Sequence, residues 1–593
     1  MEVKERIEAL RKNMKKEGVF AYYIPTSDDH GSEYIHDHYK VREFFTGFTG
    51  SAGVLLVTEK EALLWVDGRY FIQAEAETDG SLIKIMKTGL PGVPGIYGYI
   101  RDNFSKKAKL GFDGRVVDID TARKLKKALP SGKIVYKKDL SEGIFERKPL
   151  PATKIRVLPE DVSGESSIDR IAKLREEIKK AGCDAIFLSA LDEIAYLFNI
   201  RADDIEYNPV ALAYAYISQD KAYIFLRDTS TLTGYAASII KDYRETEDFL
   251  KSDVIDGLVM ADPNSLNYTY YRLIRKKADI KLMRSPVVMM KAVKNPVEIG
   301  RIKDIYYWDS LQLTRFIRYI LTTENKETEM SASDILHEYR SKIPEFRDLS
   351  FETIMAYKEN AAIIHYSPSH EHEREIAREG MLMVDSGGQY EGGTTDVTRT
   401  IVMGEISDEE KQAFTDVAVS MLRLRDARFP KGVTGVNLDI LARERMWKRG
   451  MDFRHGTGHG VGYMLNVHEG PQAVRTGYTS DQVPLAPGML ISDEPGIYLE
   501  GKFGIRTEDI LLVEEDRKTF DGTFLKFYDL TQVPIDDRGM DYTYMEPYDI
   551  RLYEEYQRNA YESLSKKMTE DEKKWLYEYT GLKRIEEGEK EHG

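Results

Sequence analysis

Five short stretches in the second half of the chain carry carboxylates and imidazoles at spacings that suit a paired-metal hydrolase. Asp385, in Val384-Asp385-Ser386-Gly387, is followed eleven residues later by Asp396, in Thr394-Thr395-Asp396-Val397-Thr398. A hairpin turning near residues 389–393 would set these two carboxylates opposite each other. Next comes His455-Gly456-Thr457-Gly458-His459-Gly460-Val461-Gly462, whose four glycines in eight residues let backbone approach a crowded site closely. Asp493-Glu494-Pro495-Gly496 ends a strand with a carboxylate at a turn, and Arg506-Thr507-Glu508 leads into the alternating run Asp509 to Val513. Alternation puts Arg506 and Glu508 on one face and turns Asp509 away. Each motif alone has a blander reading: an acidic residue at a strand end is usually a turn former, and HGTGHG alone reads equally as a phosphate-binding loop. Together they supply what two divalent ions need to lower the pKa of a shared water from about 15.7 toward about 7 and to polarise an amide carbonyl.

The elements that must position these residues follow from apolar spacing. Val3, Ile7, Leu10 and Met14 predict a helix closed by Gly18, with a strand over Val19 to Ile24. Ile168, Ile171, Leu174 and Ile178 predict a second helix closed by Gly182 ahead of a strand from Asp184 to Leu188, and the two glycines are 182 − 18 = 164 residues apart. Strand pairs over Gly53–Val66 and Leu212–Leu226 recur at nearly the same offset, so a duplicated α/β domain is expected. Lys148-Pro149-Leu150-Pro151 reads as a linker, and Asn295-Pro296 opens a long helix bearing Ile299, Ile302 and Ile305. Beyond it, Ser407 with Glu410 caps a helix to about Arg425, and a further helix over 437–449 is closed by Gly450. Strands are expected at Met381–Ser386, Asp396–Met403, Met489–Ser492 and Phe503–Val513. Helices and hairpins without regular βαβ alternation make this last part α+β. The tail from Tyr553 reads as a solvated pair of terminal helices. Residues 1–155, 156–290 and 291–593 are the expected domains.

Taken with Leu349-Ser350-Phe351-Glu352-Thr353-Ile354, Ile363-Ile364-His365-Tyr366, Leu465-Asn466-Val467-His468-Glu469-Gly470-Pro471 and Gly504-Ile505-Arg506, the motifs resemble the peptidases of the methionine aminopeptidase and prolidase superfamily with the pita-bread fold. Within it they are most similar to the three-domain Xaa-Pro aminopeptidases. Ser32-Glu33-Tyr34-Ile35, Phe48 to Gly53, Asp67-Gly68-Arg69-Tyr70-Phe71 and Leu191-Asp192-Glu193 extend the likeness to two creatinase-like N-terminal domains. The resemblance implies metal ligands Asp385, Asp396, His459, Glu494 and Glu508, with Asp396 and Glu508 bridging two divalent ions. Mn²⁺ is favoured, with Co²⁺, Fe²⁺ or Zn²⁺ as alternatives on an oxygen-rich set with one imidazole. It further implies that Glu494 ligates and shuttles a proton, that His365 and His468 donate hydrogen bonds to substrate, that His455 assists near the leaving group, and that Arg506 braces neighbouring carboxylates. The expected reaction is hydrolysis of the N-terminal Xaa-Pro bond of peptides through a metal-bridging hydroxide. Thr507 and Asp509 depart from the Ile and Asn usual at those positions, and residues 521–545 do not follow the family.

Composition narrows the classes. With 85 Lys plus Arg against 100 Asp plus Glu, the net charge of −15 argues against nonspecific nucleic-acid binding. One cysteine, Cys183, forms no intrachain disulfide and reads as a small buried residue at the start of a strand. The absence of an apolar stretch behind the first basic residues and of any run of 18 apolar residues gives the expectation of a cytoplasmic protein without membrane contact. Aromatic residues in the C-terminal extension, together with the resemblance, give the expectation of a homodimer through the third domain. Two rivals stand beside the aminopeptidase: a prolidase restricted to dipeptides, which would use the same five ligands, and a catalytically inactive binding scaffold, which would lack some of them.

Overall fold

The computed structural model describes residues 1–592 apart from 79, 233, 234, 236, 371, 372 and 478–481. The chain divides into two compact units, Met1–Met289 and Met290–Gly593. In the first, helix α1 (Val3–Glu17) ends at Gly18, whose φ of 62° supplies the left-handed cap. It covers a six-stranded sheet built from β1 (Ala21–Pro25), β2 (Val54–Thr58), β3 (Ala62–Val66), β4 (Ile83–Lys87), β5 (Leu110–Phe112) and β6 (Ile134–Val135), in the order β4-β3-β2-β1-β5-β6. Helix α2 (Ile119–Ala128) follows β5.

The second half of this unit repeats the plan. Helix α3 (Ser167–Lys180) precedes β7 (Ala185–Leu188), β8 (Ala213–Ser218), β9 (Ala222–Leu226), β10 (Ile239–Asp242), β11 (Leu258–Ala261), helix α4 (Tyr268–Ile274) and β12 (Asp279–Leu282), in the order β10-β9-β8-β7-β11-β12. The two strand orders are the same, so the duplication read from glycine spacing is a duplication of topology. One expected detail differs: Ile168 is solvent-exposed, and only Ile171, Leu174 and Ile178 pack inward. Ile168 lies in the first turn, before the buried stripe begins. Cys183 is buried just ahead of β7. The two halves share a core in which Phe112, Ile119 and Leu125 meet Leu266, Tyr268 and Tyr271. Among the described residues no helix is long and apolar enough to cross a membrane.

The second unit opens with α5 (Pro296–Thr322), whose Asn295 cap accepts from Val297 N and Glu298 N, and α6 (Glu329–Ser341). Strands β13 (Ile354–Tyr357), β14 (Met381–Ser386) and β15 (Val397–Val402) form an antiparallel sheet. Helices α7 (Asp408–Arg425) and α8 (Gly435–Lys448) come next, then β16 (Leu490–Asp493), β17 (Gly496–Leu499), β18 (Phe503–Arg506), β19 (Asp509–Thr519) and β20 (Gly522–Asp529). The single strand expected over 503–513 is broken at Thr507-Glu508. The cause is a change of partner: β18 pairs with β17, while β19 pairs with β16 and β20. Phe414, Val417 and Met421 on α7 bury the outer side of the β17–β18 hairpin.

The C-terminal tail is not a solvated pair. It forms α9 (Pro547–Leu564), α10 (Glu570–Tyr579) and α11 (Leu582–His592). Tyr553 and Tyr556 are buried against α7 and the hairpin, and Trp575 stacks on Tyr579. Of the aromatics in this extension, Tyr553, Tyr556 and Tyr579 are buried inside this unit.

One buried carboxylate holds the segment bearing His365. Glu329 Oε1 accepts from Tyr357 N (2.7 Å) and Oε2 from Tyr366 O–H (2.9 Å) and Arg374 N (3.0 Å), while Asn360 Nδ2 donates to both oxygens. Glu329→Ala strands these donors, so a loss of about 3 kcal/mol or more is expected from the unpaired groups. Calorimetry should show a lowered Tm for the second unit, and an unchanged Tm would remove Glu329 from this role.

Candidate metal centre

The five expected ligands come together at the places where strands change partners. Asp385 pairs across the sheet with Thr398, and Ser386 with Val397. Asp385 and Asp396 are thus diagonal neighbours on one face rather than directly opposite as expected. The chain between them does not make a simple turn, because 388–390 and 393–394 pair in a separate small sheet with 346–349. Glu494 lies between β16 and β17, its N–H donated to Thr457 O (2.8 Å), and Glu508 lies between β18 and β19, its N–H donated to Thr398 O (3.0 Å). Both carboxylates occupy residues released from strand pairing, so their side chains can turn toward a common point.

Glycine brings the last ligand in. A Cβ on Gly458 would lie 1.8 Å from Ser492 O, and one on Gly460 would lie 2.1 Å from Glu469 O. Only glycine permits these approaches. His459 N donates to Ser492 Oγ (2.9 Å), and His459 Nδ1 meets the carbonyl of Gly460 at 2.9 Å. An acceptor at Nδ1 places the proton there and leaves the Nε2 lone pair for a ligand. Nε2 lies 3.4 Å from Asp396 Oδ2 and 3.7 Å from Glu494 Oε1.

Ligand atoms in three overlapping groups lie within 4.8 Å of one another: Asp385, Asp396 and Glu508; His459, Glu494 and Glu508; and Asp396, His459 and His468. Asp385 Oδ1 and Glu508 Oε1 are buried without a hydrogen-bond partner among the described residues. Buried oxygens left so are costly unless a cation satisfies them. The donor set of four carboxylates and one imidazole fits two divalent ions. Glu494 and His459 each keep 20 % of their side-chain surface, whereas Glu508 is only 1 % exposed, so the cluster opens toward solvent on the Glu494 side.

Electrostatics say the same. Burial, then the charges of Asp396, Glu494 and Asp385, pushes Glu508 well above the usual carboxylate range. Burial raises Glu494 to about 7 although His459 and Arg506 pull the other way. Burial also raises Asp385 against the pull of Arg506. For His459, burial favours the neutral ring, but hydrogen bonding to Asp396 and the charge of Glu494 outweigh it and raise the ring to about 9. Without metal the cluster relieves its own repulsion by holding protons.

The remaining expected residues ring this cluster. Arg506 Nη2 donates to Asp385 Oδ2 (2.5 Å) and Nη1 to Tyr498 O–H (2.7 Å). Tyr498 Oη in turn lies 2.9 Å from His455 Nε2, and His455 Nδ1 is 3.8 Å from Glu494 Oε2. The His468 ring stands edge-on to His459 with centroids 4.4 Å apart, close enough to join a ligand group. His365 follows Ile364, whose carbonyl lies 3.5 Å from Arg506 Nη1. Sequence reasoning missed Tyr498 and Thr398. Tyr498 is the link from Arg506 to His455, and Thr398 Oγ1 donates to Glu508 Oε2 (2.7 Å) while Arg506 Nε approaches it at 3.3 Å. The available signal was parity: Tyr498 is two residues from Gly496, the cross-strand partner of Arg506, and Thr398 is two from Asp396.

Residues 311–515 match metallopeptidase family M24, residues 523–581 match the C-terminal region of that peptidase, which corrects the expectation that 521–545 departs from the family, and residues 6–143 and 146–298 each match a creatinase/prolidase N-terminal domain. A probable Xaa-Pro aminopeptidase P of Laccaria bicolor is 36 % identical, over 96 % of this chain and 92 % of that one. Aminopeptidase P2 of Arabidopsis thaliana is 35 % identical, over 95 % and 86 %. The solved X-prolyl aminopeptidase of Caenorhabditis elegans, described as a cytosolic enzyme with a di-nuclear active site, superposes with a TM-score of 0.91 at 30 % identity, covering 98 % of this chain and 99 % of that one.

A cluster that holds protons when empty must surrender them to bind cations. Divalent ions added to chelator-stripped protein at pH 7 should release at least one proton, chiefly from His459 and Glu508. Affinity should rise with pH until His459 loses its proton near 9. Titration calorimetry in two buffers of different ionisation heat measures this, and binding with no net proton release would contradict the assignment.

Proposed function

The chain belongs to metallopeptidase family M24 as a metallo-aminopeptidase of the Xaa-Pro type, and from that premise we propose that it removes the first residue of peptides whose second residue is proline. The observation that carries this is the convergence of Asp385, Asp396, His459, Glu494 and Glu508 in overlapping groups, with two of their buried oxygens lacking a hydrogen-bond partner among the described residues. These five residues would hold two divalent ions, which we propose to be Mn²⁺ given the predominance of oxygen donors. When bound, the ions supply an acidified water and polarise the scissile carbonyl.

The chain's own residues then divide the work. Glu494, partly exposed and held near neutrality by burial, is placed to take a proton on its carboxylate and return it to the leaving nitrogen. His455, fixed at Nε2 through Tyr498 to Arg506 and so to Asp385, brings Nδ1 to 3.8 Å from Glu494 Oε2 and would assist at that nitrogen. His468 and His365 are the hydrogen-bond donors for the substrate. Arg506 holds the Asp385 carboxylate in one orientation and contributes the fixed positive charge of the cluster. The Xaa-Pro nitrogen has no N–H and its ring fixes the backbone angle, so the site must accept the ring itself rather than an extended strand.

Two outcomes follow. Glu494→Gln should lower kcat by about 10²-fold or more while KM changes much less, since a positioned proton shuttle contributes about 10²–10⁴-fold; an equal kcat with an unchanged pH profile would remove Glu494 from the role. With Mn²⁺ restored to stripped enzyme, Arg-Pro-Pro and longer Xaa-Pro peptides should be cleaved after the first residue. Cleavage of Gly-Pro alone would install the dipeptide-restricted reading instead, and cleavage of Xaa-Ala peptides alone would remove the proline requirement.

A further inference from the structure

Lys291 and Lys294 stand three residues apart ahead of α5, and both ammonium groups turn inward. Their side chains keep 4 % and 0 % of their surface, and both meet one carboxylate, Glu469, which is equally enclosed. Lys294 Nζ donates to Glu469 Oε1 at 2.5 Å and to the carbonyl of Lys291 at 2.9 Å, while Lys291 Nζ lies 3.0 Å from Glu469 Oε2. Lysine and glutamate are seldom buried so completely. A buried ion pair is a weak source of stability, because desolvation consumes much of the attraction, and its best-attested use is to fix register. What this one fixes follows from the backbone of Glu469.

Glu469 directly follows His468. Its N–H donates to Gly460 O at 2.7 Å, and the same carbonyl lies 2.9 Å from His459 Nδ1. Gly460 O is thus held by Glu469 on one side and orients the imidazole on the other. Since that contact is what leaves His459 Nε2 for a metal ion, a displaced Glu469 would turn the ring away from its partners. The His468 ring, one residue before Glu469, stands edge-on to the same imidazole.

The ammonium groups themselves have a rigid footing. Lys294 N–H donates to Gly488 O and Gly488 N–H to Val513 O, each at 2.9 Å, so the lysine backbone is tied to β19. Val293 also bridges to Met489, next to the start of β16. A continuous set of contacts therefore runs from the sheet through Lys294 and Glu469 to Gly460 and the metal-facing imidazole.

We propose that Lys294, assisted by Lys291, is a positioning residue of the peptidase site: it holds Glu469 so that Gly460 O keeps His459 directed at one metal ion and His468 at the substrate. The inference rests on the metal reading given above. The test titrates chelator-stripped full-length enzyme with Mn²⁺, unaltered and as Lys294→Met, and measures cleavage of Arg-Pro-Pro at saturating Mn²⁺. Loss of a group that orients a metal-ligating histidine costs about 10–100-fold in metal affinity or activity. Lys294→Met should therefore weaken one of the two Mn²⁺ ions by about tenfold or more, leave the other nearly unchanged, and lower kcat even at saturation. The control is Asp549→Asn, which breaks a buried ion-pair cluster joining α9 to Arg423 on α7 and Arg445 on α8. It should lower Tm and leave both Mn²⁺ affinities and kcat as they are.

Unaltered Mn²⁺ affinities and kcat in Lys294→Met would overturn the proposal. Equal weakening of both ions, or the same losses in Asp549→Asn, would mark a general effect of destabilisation and overturn it too. Absence of Mn²⁺ binding by the unaltered enzyme would instead overturn the metal reading, and this inference with it. Should Lys294→Met fail to fold, Lys291→Met removes only the longer contact to Glu469 and should weaken the same single ion by a smaller factor; unchanged affinity in that variant would overturn the proposal.

Discussion

Four carboxylates and one imidazole, gathered in overlapping groups whose ligand atoms lie within 4.8 Å, set the terms for the catalytic unit. Two like charges about 4 Å apart repel by about 4 kcal/mol at an effective dielectric of 20, and here several such pairs coexist. The unit meets that cost with one fixed cation, Arg506, and with retained protons on Glu508, Glu494 and His459. Neither suffices for a catalytic state, because a protonated ligand cannot bind metal. Two divalent ions contribute the +4 that matches four ionised carboxylates. Cation binding and the ionisation of the site are therefore one equilibrium.

Much of the surrounding architecture serves to keep the ligand atoms from relaxing apart. The break at Thr507-Glu508 and the turn at Glu494-Pro495 let two carboxylates leave strand pairing while their backbone N–H groups still find acceptors at Thr398 and Thr457. Gly458 and Gly460 let the histidine loop touch Ser492 and Glu469 at distances no side chain would allow. Behind the hairpin, α7 and α9 pack Phe414, Val417, Tyr553 and Tyr556 against Ile497 and Ile505. The apolar core thus supplies the rigidity that the charged cluster lacks.

This division explains what was legible in the sequence. The ligands stood out because carboxylates beside glycine and proline at strand ends have few structural uses in such number, and the duplicated domain stood out because a glycine-capped helix before a strand recurs at a fixed offset. Asp385 and Asp396 were expected face to face, but register is a property of pairing and not of spacing, and the strands slipped them to diagonal positions. Tyr498 and Thr398 were not found because a tyrosine or threonine in a strand carries no mark of chemistry until its hydroxyl meets a charged partner. The C-terminal helices were misread as solvated because the surface they cover is formed by residues distant in sequence, from the hairpin about 50 positions earlier to α7 more than 130 positions earlier.

The acidic residues flanking the ligands show why the cluster stays confined to one face. Asp493 and Asp509 are cross-strand partners on β16 and β19, and Asp529 joins them from β20. Strand alternation turns them away from Glu494 and Glu508, into a buried layer with its own cations. Arg399 reaches Asp509 at 2.7 Å and Arg425 reaches Asp529 at 2.7 Å. Three carboxylates against two guanidinium groups leave one excess charge, and burial together with Asp509 and Asp529 pushes Asp493 far upward, so that this residue carries the proton. Asp509 is thereby accommodated by Arg399 and not by metal. Arg399 also donates to the Glu508 carbonyl at 2.8 Å, so the layer neutralised by arginine holds the backbone of the layer that awaits cations. Permanent charges compensate the structural face, leaving exchangeable ones to compensate the catalytic face.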